Sequence, residues 1–290
     1  MNTPSISFLV PLFNRLDLTE KFVENLRATV PGDWGWEALL IDDGSTDGTP
    51  SFIDGLRAPF RALHMPGNVG YATAMNTGAG AALGSILALL NNDLVLTKGW
   101  LEPMLDLLRD EPNVGAVGNI QTNPATGLID HAGVFFDPEG MPTHAHKHRG
   151  RPPRGKWRER NACTATCMLV PRTVFDDVGG FCTEYRNGME DIDLCVRLRD
   201  RGYRIIVSHE SVIEHLVSSS PGRHEANSAN TEIYRRRCAA IAARWGAKEW
   251  PMEYLQRYAR RWWKIDPSRG ARAVLMLLGL PRRRNKNPVA

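Results

Sequence analysis

Three polar clusters stand out by type and spacing: Asp42-Asp43, Asn91-Asn92-Asp93, and Glu190-Asp191 with Asp193; His215 follows the last. Hard divalent cations take one or two carboxylates and leave positions open for phosphate oxygens. A separate carboxylate within hydrogen-bond reach of a hydroxyl can act as its general base. Together these groups suit displacement at a carbon whose leaving group is a diphosphate, because a bridging cation offsets the charge that gathers there. Asp93 is the choice for the metal carboxylate. Asn91 would add a neutral oxygen or hold a ribose, with the amide of Asn92 beside it. Asp42 and Asp43 would accept hydrogen bonds from a base edge or ribose. Asp191, with Glu190 beside it, is the candidate base, and a single displacement assisted by it inverts the attacked carbon. His215 could reach the metal or the diphosphate. Each cluster also has a plain structural reading. Turns after strands favour Asp and Asn, acidic side chains in a first helical turn answer the helix dipole, and a single histidine near a strand end is often structural.

The elements that carry these residues alternate. Ile6 to Leu12 reads as a buried strand. A helix follows Asp17, whose carboxylate is expected to cap it, with Glu20 completing a capping box. Leu18, Phe22, Val23 and Leu26 give its apolar face, and Pro31-Gly32 end it. Trp36 to Ile41 is a second strand running into Asp42. A short helix over Pro50–Leu56, a strand over Phe60–Met65, a helix over Tyr71–Leu83 and a strand over Ser85–Leu90 follow. The last of these ends at Asn91. Trp100–Leu108 reads as helix and Val114–Ile120 as strand. The pattern predicts an α/β fold with a mostly parallel central sheet flanked by helices. Ligands bind at the carboxyl ends of such strands, where the first two clusters stand. Neither a glycine-rich dinucleotide turn nor a GxxxxGK[ST] run is present, which excludes the commonest nucleotide folds.

The second half is less regular. Asp137 to Arg160 holds His144, His146, His148 and seven Lys or Arg, and reads as a long exposed loop, either a lid on the acceptor side or a surface insertion. The three histidines lack partners spaced for zinc. Order returns at Ala162–Val170, with a short helix over Pro171–Val178 and a helix over Glu190–Asp200. Tyr203–Val207 is a strand, and a second short apolar stretch precedes His215. From Asn230 onward the pattern turns helical.

The 290 residues are 42% hydrophobic, enough for a large core. Five scattered cysteines exclude a disulfide-stapled scaffold and suggest a reducing compartment. No apolar run reaches the roughly 18 residues of a membrane span, and Met1 to Ile6 does not read as a signal peptide. A cytoplasmic protein is expected. The net charge of +4 hides an asymmetry: fifteen Lys or Arg face three Asp or Glu between Tyr234 and Ala290. A basic tail on an acidic body suggests an anionic partner, a membrane surface in preference to nucleic acid, or simply a solvated face.

The ordered series of motifs resembles family 2 glycosyltransferases. Pro11 to Arg15 is similar to the segment after that family's first strand, and Asp42 to Thr49 to its nucleotide-binding turn. Asn68-Val69-Gly70 with Asn76 and Gly78 is similar to its next loop and helix. Leu90 to Asp93 stands at the metal motif and resembles the rhamnosyltransferase-like variant, with Asn91 in place of the usual first carboxylate. Gly179-Gly180-Phe181 and Gly188 to Leu194 resemble the acceptor-side block, and His215 a late histidine of the metal or phosphate site. The resemblance implies the GT-A fold, with a catalytic domain over 1–228. Residues 1–115 would form its nucleotide-sugar half and 116–228 its acceptor-side half, containing the 137–160 loop; a helical, arginine-rich extension covers 229–290. It implies donor contacts at Pro11, Asn14, Asp42, Asp43, Asn68, Gly70, Asn76, Asn91 and Asn92. Mg2+ or Mn2+ would lie at Asp93 and His215, with Asp191 as base. The donor would be a dTDP- or UDP-sugar, and the acceptor a hydroxyl of a glycan, glycolipid or protein in surface polysaccharide or lipid-linked glycan assembly. Two rivals remain from the residues alone: a sugar nucleotidyltransferase, and a non-enzymatic protein that binds membrane or nucleic acid through the tail.

Overall fold

The computed structural model describes residues 5–216, 227–259 and 262–279. The first half comprises β1 (Ile6–Leu12), α1 (Leu16–Thr29), β2 (Trp36–Asp42), α2 (Thr49–Asp54), β3 (Phe60–His64) and α3 (Tyr71–Ala81). It continues with β4 (Ile86–Leu90), β5 (Leu94–Val95), α4 (Glu102–Asp110) and β6 (Val114–Thr122). Next come the short strands β7 (Ile129–His131), β8 (Val134–Phe136), β9 (Pro142–His144) and β10 (Trp157–Arg160). β11 (Cys167–Pro171), α5 (Arg172–Asp177), α6 (Glu190–Asp200) and β12 (Arg204–His215) follow. Helices α7 (Asn227–Tyr234), α8 (Ala240–Tyr258) and α9 (Pro267–Leu277) form the extension, with a π-helical turn, Arg235–Ala239, joining the first two.

One sheet runs in the order β10-β12-β6-β11-β4-β1-β2-β3, with β5 added on β12 and β7 on β6. It is parallel through β4, β1, β2 and β3. Beyond β4 it is mixed, because β11 enters antiparallel to both β4 and β6. The alternation of strands and helices therefore foretells the first half; along the eight-strand path only β11 and β10 run against the others, so the sheet is mixed but mostly parallel. The two apolar stretches before His215 are one strand, β12, whose register slips between Val207 and Val212.

Alternation along each strand divides the core between two faces. Leu9, Leu39, Ile41, Leu87 and Leu89 join Met75 of α3 and Leu194 of α6 on one side. Phe8, Val10, Leu40 and Leu90 join Phe22 and Leu26 of α1 and Trp100 on the other. Full burial of side chains such as Phe22 and Leu26 contributes about 1.5–3 kcal/mol each. Tyr234, Cys238 and Ala242 of the extension lie in the first of these clusters, so the extension shares the core that lies on that face of the sheet.

The start of α1 departs from expectation. Asp17 sits inside the first turn and pairs with Arg15 at 2.8 Å instead of capping the helix. The Leu16 N–H is taken by Asp47, 3.0 Å away on the acidic turn after β2. A distant carboxylate therefore does the work that the local sequence pattern assigns to Asp17.

Residues 137–160 also depart from a long exposed loop. β8 and β9 form a hairpin and β10 joins the main sheet. A third apolar cluster, with Phe135, Ala145, Trp250, Tyr254 and Ala273, packs the hairpin against the extension. Arg149, Arg158 and Arg160 of this segment have acidic or carbonyl partners on α8. Arg160, 1% exposed, donates to Glu253 at 2.7 Å and Glu249 at 3.1 Å. Arg257 in turn donates to the His144 carbonyl at 2.7 Å. The approach is close enough to exclude side chains: a Cβ on Gly140 would strike the Ala239 carbonyl, and one on Gly246 the Asp137 carbonyl.

Candidate active site

The acidic turn after β2 is a frame that ties three loops together. Asp42 accepts from the Ser45 N–H at 3.0 Å and faces His64 Nδ1 at 3.2 Å. His64 also meets Asp54 at 2.9 Å, and the hydrogen bonds to Asp54 and Asp42 raise its pKa. Asp43 accepts from the Val69 N–H at 2.7 Å and the Gly70 N–H at 3.0 Å. Burial nevertheless raises the pKa of Asp43. Between these strands Gly44 takes φ 80°, and a Cβ there would lie 2.6 Å from the Gly67 carbonyl carbon. Only glycine lets the two backbones approach so closely. Asn14, itself left-handed at φ 54°, donates its N–H to Ser45 Oγ at 2.7 Å and accepts from the Thr46 N–H at 2.8 Å. Pro11 lies in β1 opposite Ile41, and Asn68 is exposed on the loop that Asp43 holds.

Asn76 lies elsewhere. Both ends of its amide engage the Phe181 backbone at 2.8 Å, fastening α3 to the Gly179-Gly180-Phe181 turn. Asn92 likewise turns back to donate to Thr19 on α1 at 3.1 Å.

The pairing of β5 with the end of β12 sets Leu94 opposite His215. It brings Asp93 Oδ2 to 3.3 Å from His215 Nε2. The pair is close, yet without the alignment of a hydrogen bond. Asn91 Oδ1, Asp93 Oδ1 and His215 Nε2 are all buried with no hydrogen-bond partner. Buried polar atoms left unpaired cost about 1–3 kcal/mol each, so three together mark a place built for a ligand. An amide oxygen, a carboxylate and an imidazole fit a divalent cation whose remaining positions are filled by phosphate or water. Among the described residues no group of three or more His, Cys, Asp or Glu gathers as a metal site, so most of the coordination sphere would come from elsewhere. Arg15 is near enough that Asp93 helps raise its pKa, after the larger effect of its hydrogen bond to Asp17.

Asp191 occupies the first turn of α6, after Asn187, Gly188 and Met189, all at positive φ. Its carboxylate accepts from the Ile192 N–H at 2.8 Å and the Ala165 N–H at 3.2 Å. Burial raises its pKa, against the opposing hydrogen bonds from the Thr164 side chain and these backbone donors. Glu190 folds back onto the Gly188 N–H. Asp193 is fully buried among Arg197, Arg237, Tyr185 and Cys238. The acidic triplet thus divides into a turn brace, a carboxylate held against Ala165 and a core anchor.

The segment before β11 joins the Asn91–Asp93 turn to Asp191. The Thr166 carbonyl accepts from the Asn91 N–H at 3.0 Å, and the preceding Ala165 holds Asp191. Consecutive residues lie only about 3.8 Å apart, so the Asn91–Asp93 turn and Asp191 are anchored on one dipeptide. Tyr71 brings its hydroxyl to 3.5 Å from the Ala165 carbonyl, and burial, with the charges of Glu190 and Asp191, raises its pKa. His131 accepts the Thr164 N–H through Nε2 at 3.4 Å and faces His144 Nδ1 at 3.1 Å through its own Nδ1. Burial, then the neighbouring His144, holds its pKa well below the ordinary histidine value. Sequence reasoning passes over Tyr71, His131, Thr164, Ala165 and Thr166. Small polar residues ahead of a strand carry no local signal, and only the tertiary pairing reveals them.

Residues 7–179 match the family described as Glycosyl transferase family 2, and the chain belongs to that family. It is 31% identical over 256 residues to the uncharacterized protein y4gI of Sinorhizobium fredii, covering 84% of this chain and 28% of that one. It is 28% identical over 216 residues to N-acetylglucosaminyl-diphospho-decaprenol L-rhamnosyltransferase of Mycobacterium tuberculosis, covering 65% of this chain and 69% of that one. The mannosyltransferase PcManGT of Pyrobaculum calidifontis, solved with GDP-Man and Mn2+, superposes with a TM-score of 0.60 at 19% identity. That match covers 97% of this chain and 82% of the other, and the shared architecture is the GT-A fold. No helix among the described residues is long and apolar enough to cross a membrane.

Proposed function

We propose that the chain is an inverting, metal-dependent glycosyltransferase that moves a sugar from a dTDP- or UDP-sugar to a hydroxyl of a glycan, glycolipid or protein. The observation that carries this reading is the anchoring of Asp191 and the Asn91–Asp93 turn on adjacent residues, Ala165 and Thr166. Asp93 and His215, with Asn91, would hold Mg2+ or Mn2+, which when bound neutralises charge on the departing diphosphate. The frame of Asn14, Asp42, Asp43, Asn68 and Gly70 would receive the nucleotide. Asp191 takes the proton of the acceptor hydroxyl while the acceptor oxygen bonds to the anomeric carbon. The bond from that carbon to the diphosphate oxygen breaks in the same step, which inverts the centre. The raised pKa of Asp191 makes it a better proton acceptor than an exposed aspartate.

Rhamnose is the favoured sugar, since the mycobacterial relative is named an L-rhamnosyltransferase. That relative's name also specifies a diphospho-decaprenol acceptor, which favours a lipid-linked acceptor here. A peripheral, cytoplasmic-face membrane association accords with such an acceptor. Trp262 and Trp263 are exposed, and so are Val274, Leu275 and Leu277 on α9 and Leu278 just past its end. Lys264 and Arg269 lie among them, and the sequence continues with Arg282, Arg283, Arg284 and Lys286, which fall outside the described residues. Amphipathic segments with aromatic and basic residues bind anionic interfaces in this way.

A panel of nucleotide sugars with Mg2+ or Mn2+ tests the reading. Metal-dependent binding and slow donor hydrolysis are expected. Release of pyrophosphate from a sugar 1-phosphate and a nucleoside triphosphate would replace it with a nucleotidyltransferase. Sedimentation with anionic liposomes, wild type against Trp262→Ser/Trp263→Ser, tests the membrane face; equal sedimentation rejects it.

A further inference from the structure

The turn that delivers Asp191 is costly in isolation. Asn187 and Met189 have φ of 56° and 74°, and Gly188 between them 138°. A residue other than glycine in the left-handed region costs roughly 1–2 kcal/mol, and such conformations persist only where surrounding contacts over-determine them.

The contacts come from the extension. Asn230 of α7, 1% exposed, accepts the Arg186 N–H through Oδ1 at 3.1 Å and donates Nδ2–H to the Arg186 carbonyl at 2.9 Å. A single amide thus holds both polar groups of the residue that enters the turn. Within the turn, Asn187 Oδ1 accepts the Tyr71 N–H at 3.2 Å. Past the base, Arg237 donates to Asp193 at 3.0 Å and the Cys238 thiol donates to the same oxygen, Asp193 Oδ2, at 3.1 Å. One helical stretch, residues 230–238, therefore grips the chain five residues before Asp191 and two residues after it.

We propose that Asn230 is a positioning residue for Asp191, resting on the assignment of Asp191 as the base. Its amide sets the angle at which the left-handed turn enters α6, and so where the carboxylate stands against the acceptor oxygen. Misplacing a reacting group by about an ångström can lower a rate on the order of 100-fold.

The test uses the full chain with the nucleotide sugar that the panel identifies. Asn230→Leu removes both bonds, and Asn230→Asp keeps the acceptor for the Arg186 N–H. Donor hydrolysis should fall roughly 10- to 100-fold in kcat for Asn230→Leu, with donor KM within about twofold of wild type. Asn230→Asp should recover part of the loss. Amide hydrogen exchange should quicken over residues 187–192 and stay unchanged over 40–48, which separates a local effect from general loosening. Unchanged kcat, a loss shared equally by KM, or unaltered exchange at 187–192 overturns the proposal. A wild-type chain that binds and hydrolyses no nucleotide sugar defeats the transferase reading itself, and the role of Asn230 with it.

Discussion

Asp93, just before β5, and His215, the last residue of β12, stand on paired strands, and their Oδ2 and Nε2 atoms come to 3.3 Å. The two atoms form no aligned hydrogen bond, and Asn91 Oδ1, two residues before Asp93, is also buried and unpaired. His215→Ala and Asp93→Ala should each weaken Mn2+ binding in the presence of a nucleoside diphosphate by at least about tenfold. Electron paramagnetic resonance titration of free Mn2+ reads this directly. Wild-type affinity in both variants would remove the site.

Asp191→Asn should lower transfer about 10²- to 10⁴-fold, the usual contribution of a general base, while nucleoside diphosphate affinity is retained. Isothermal titration beside a steady-state assay separates the two quantities. Full turnover by the variant would dismiss Asp191 as the base.

The raised pKa of Asp191 also predicts a pH profile. The base works only when ionised, so kcat falls as pH drops through its pKa. Because burial raises that pKa, the acid limb should lie above the ordinary aspartate value of about 3.9. An acid limb at or below that value would contradict the enclosed carboxylate.

Asp47 makes a prediction about stability. It accepts from the Leu16 N–H at the start of α1 and from the Thr49 N–H at the start of α2. Desolvation raises its pKa, but its hydrogen bonds, led by Thr49, outweigh that and leave it lowered. A lowered carboxylate stabilises the fold fully above its unfolded pKa and loses that contribution as pH falls through the folded one. Asp47→Ala should cost about 0.5–2 kcal/mol near neutral pH, with the difference from wild type shrinking in acid. Urea unfolding at several pH values checks both the size and the sign.

Arg160 is buried between Glu249 and Glu253, and Glu253 also meets Arg158 at 3.1 Å. Burial raises the pKa of Glu249. Arg160→Met leaves these carboxylates short of a cation and should destabilise the chain by roughly 3–5 kcal/mol. Arg160→Met/Glu249→Gln should recover part of it. A single variant as stable as wild type in urea would mean that the cluster contributes little.

Much of the fold and part of the site can be read from residue order alone. The runs Ile6–Leu12 and Trp36–Ile41 are strands because both faces of the sheet are covered, which demands continuous apolar character. Asp43 and Asp191 stand out because carboxylates at the ends of such elements are unusual in combination. Asn76 and Asn92 look alike in sequence but fasten helices, since the partner of an amide is a tertiary matter. The capping of α1 by Asp47 was hidden for the same reason: the donor and acceptor are 31 positions apart. Residues 137–160 look like a loop because their many arginines suggest solvent, and nothing local reveals that Glu249 and Glu253 await them.

Gly140 and Gly246 face the hairpin–helix contact from opposite sides, each pressed against a carbonyl of the other segment. Such reciprocal contacts pack the hairpin and the tail as one unit. A chimera that imports a foreign tail without its matching hairpin would set side chains against these carbonyls, so a foldable exchange should require moving both segments at once.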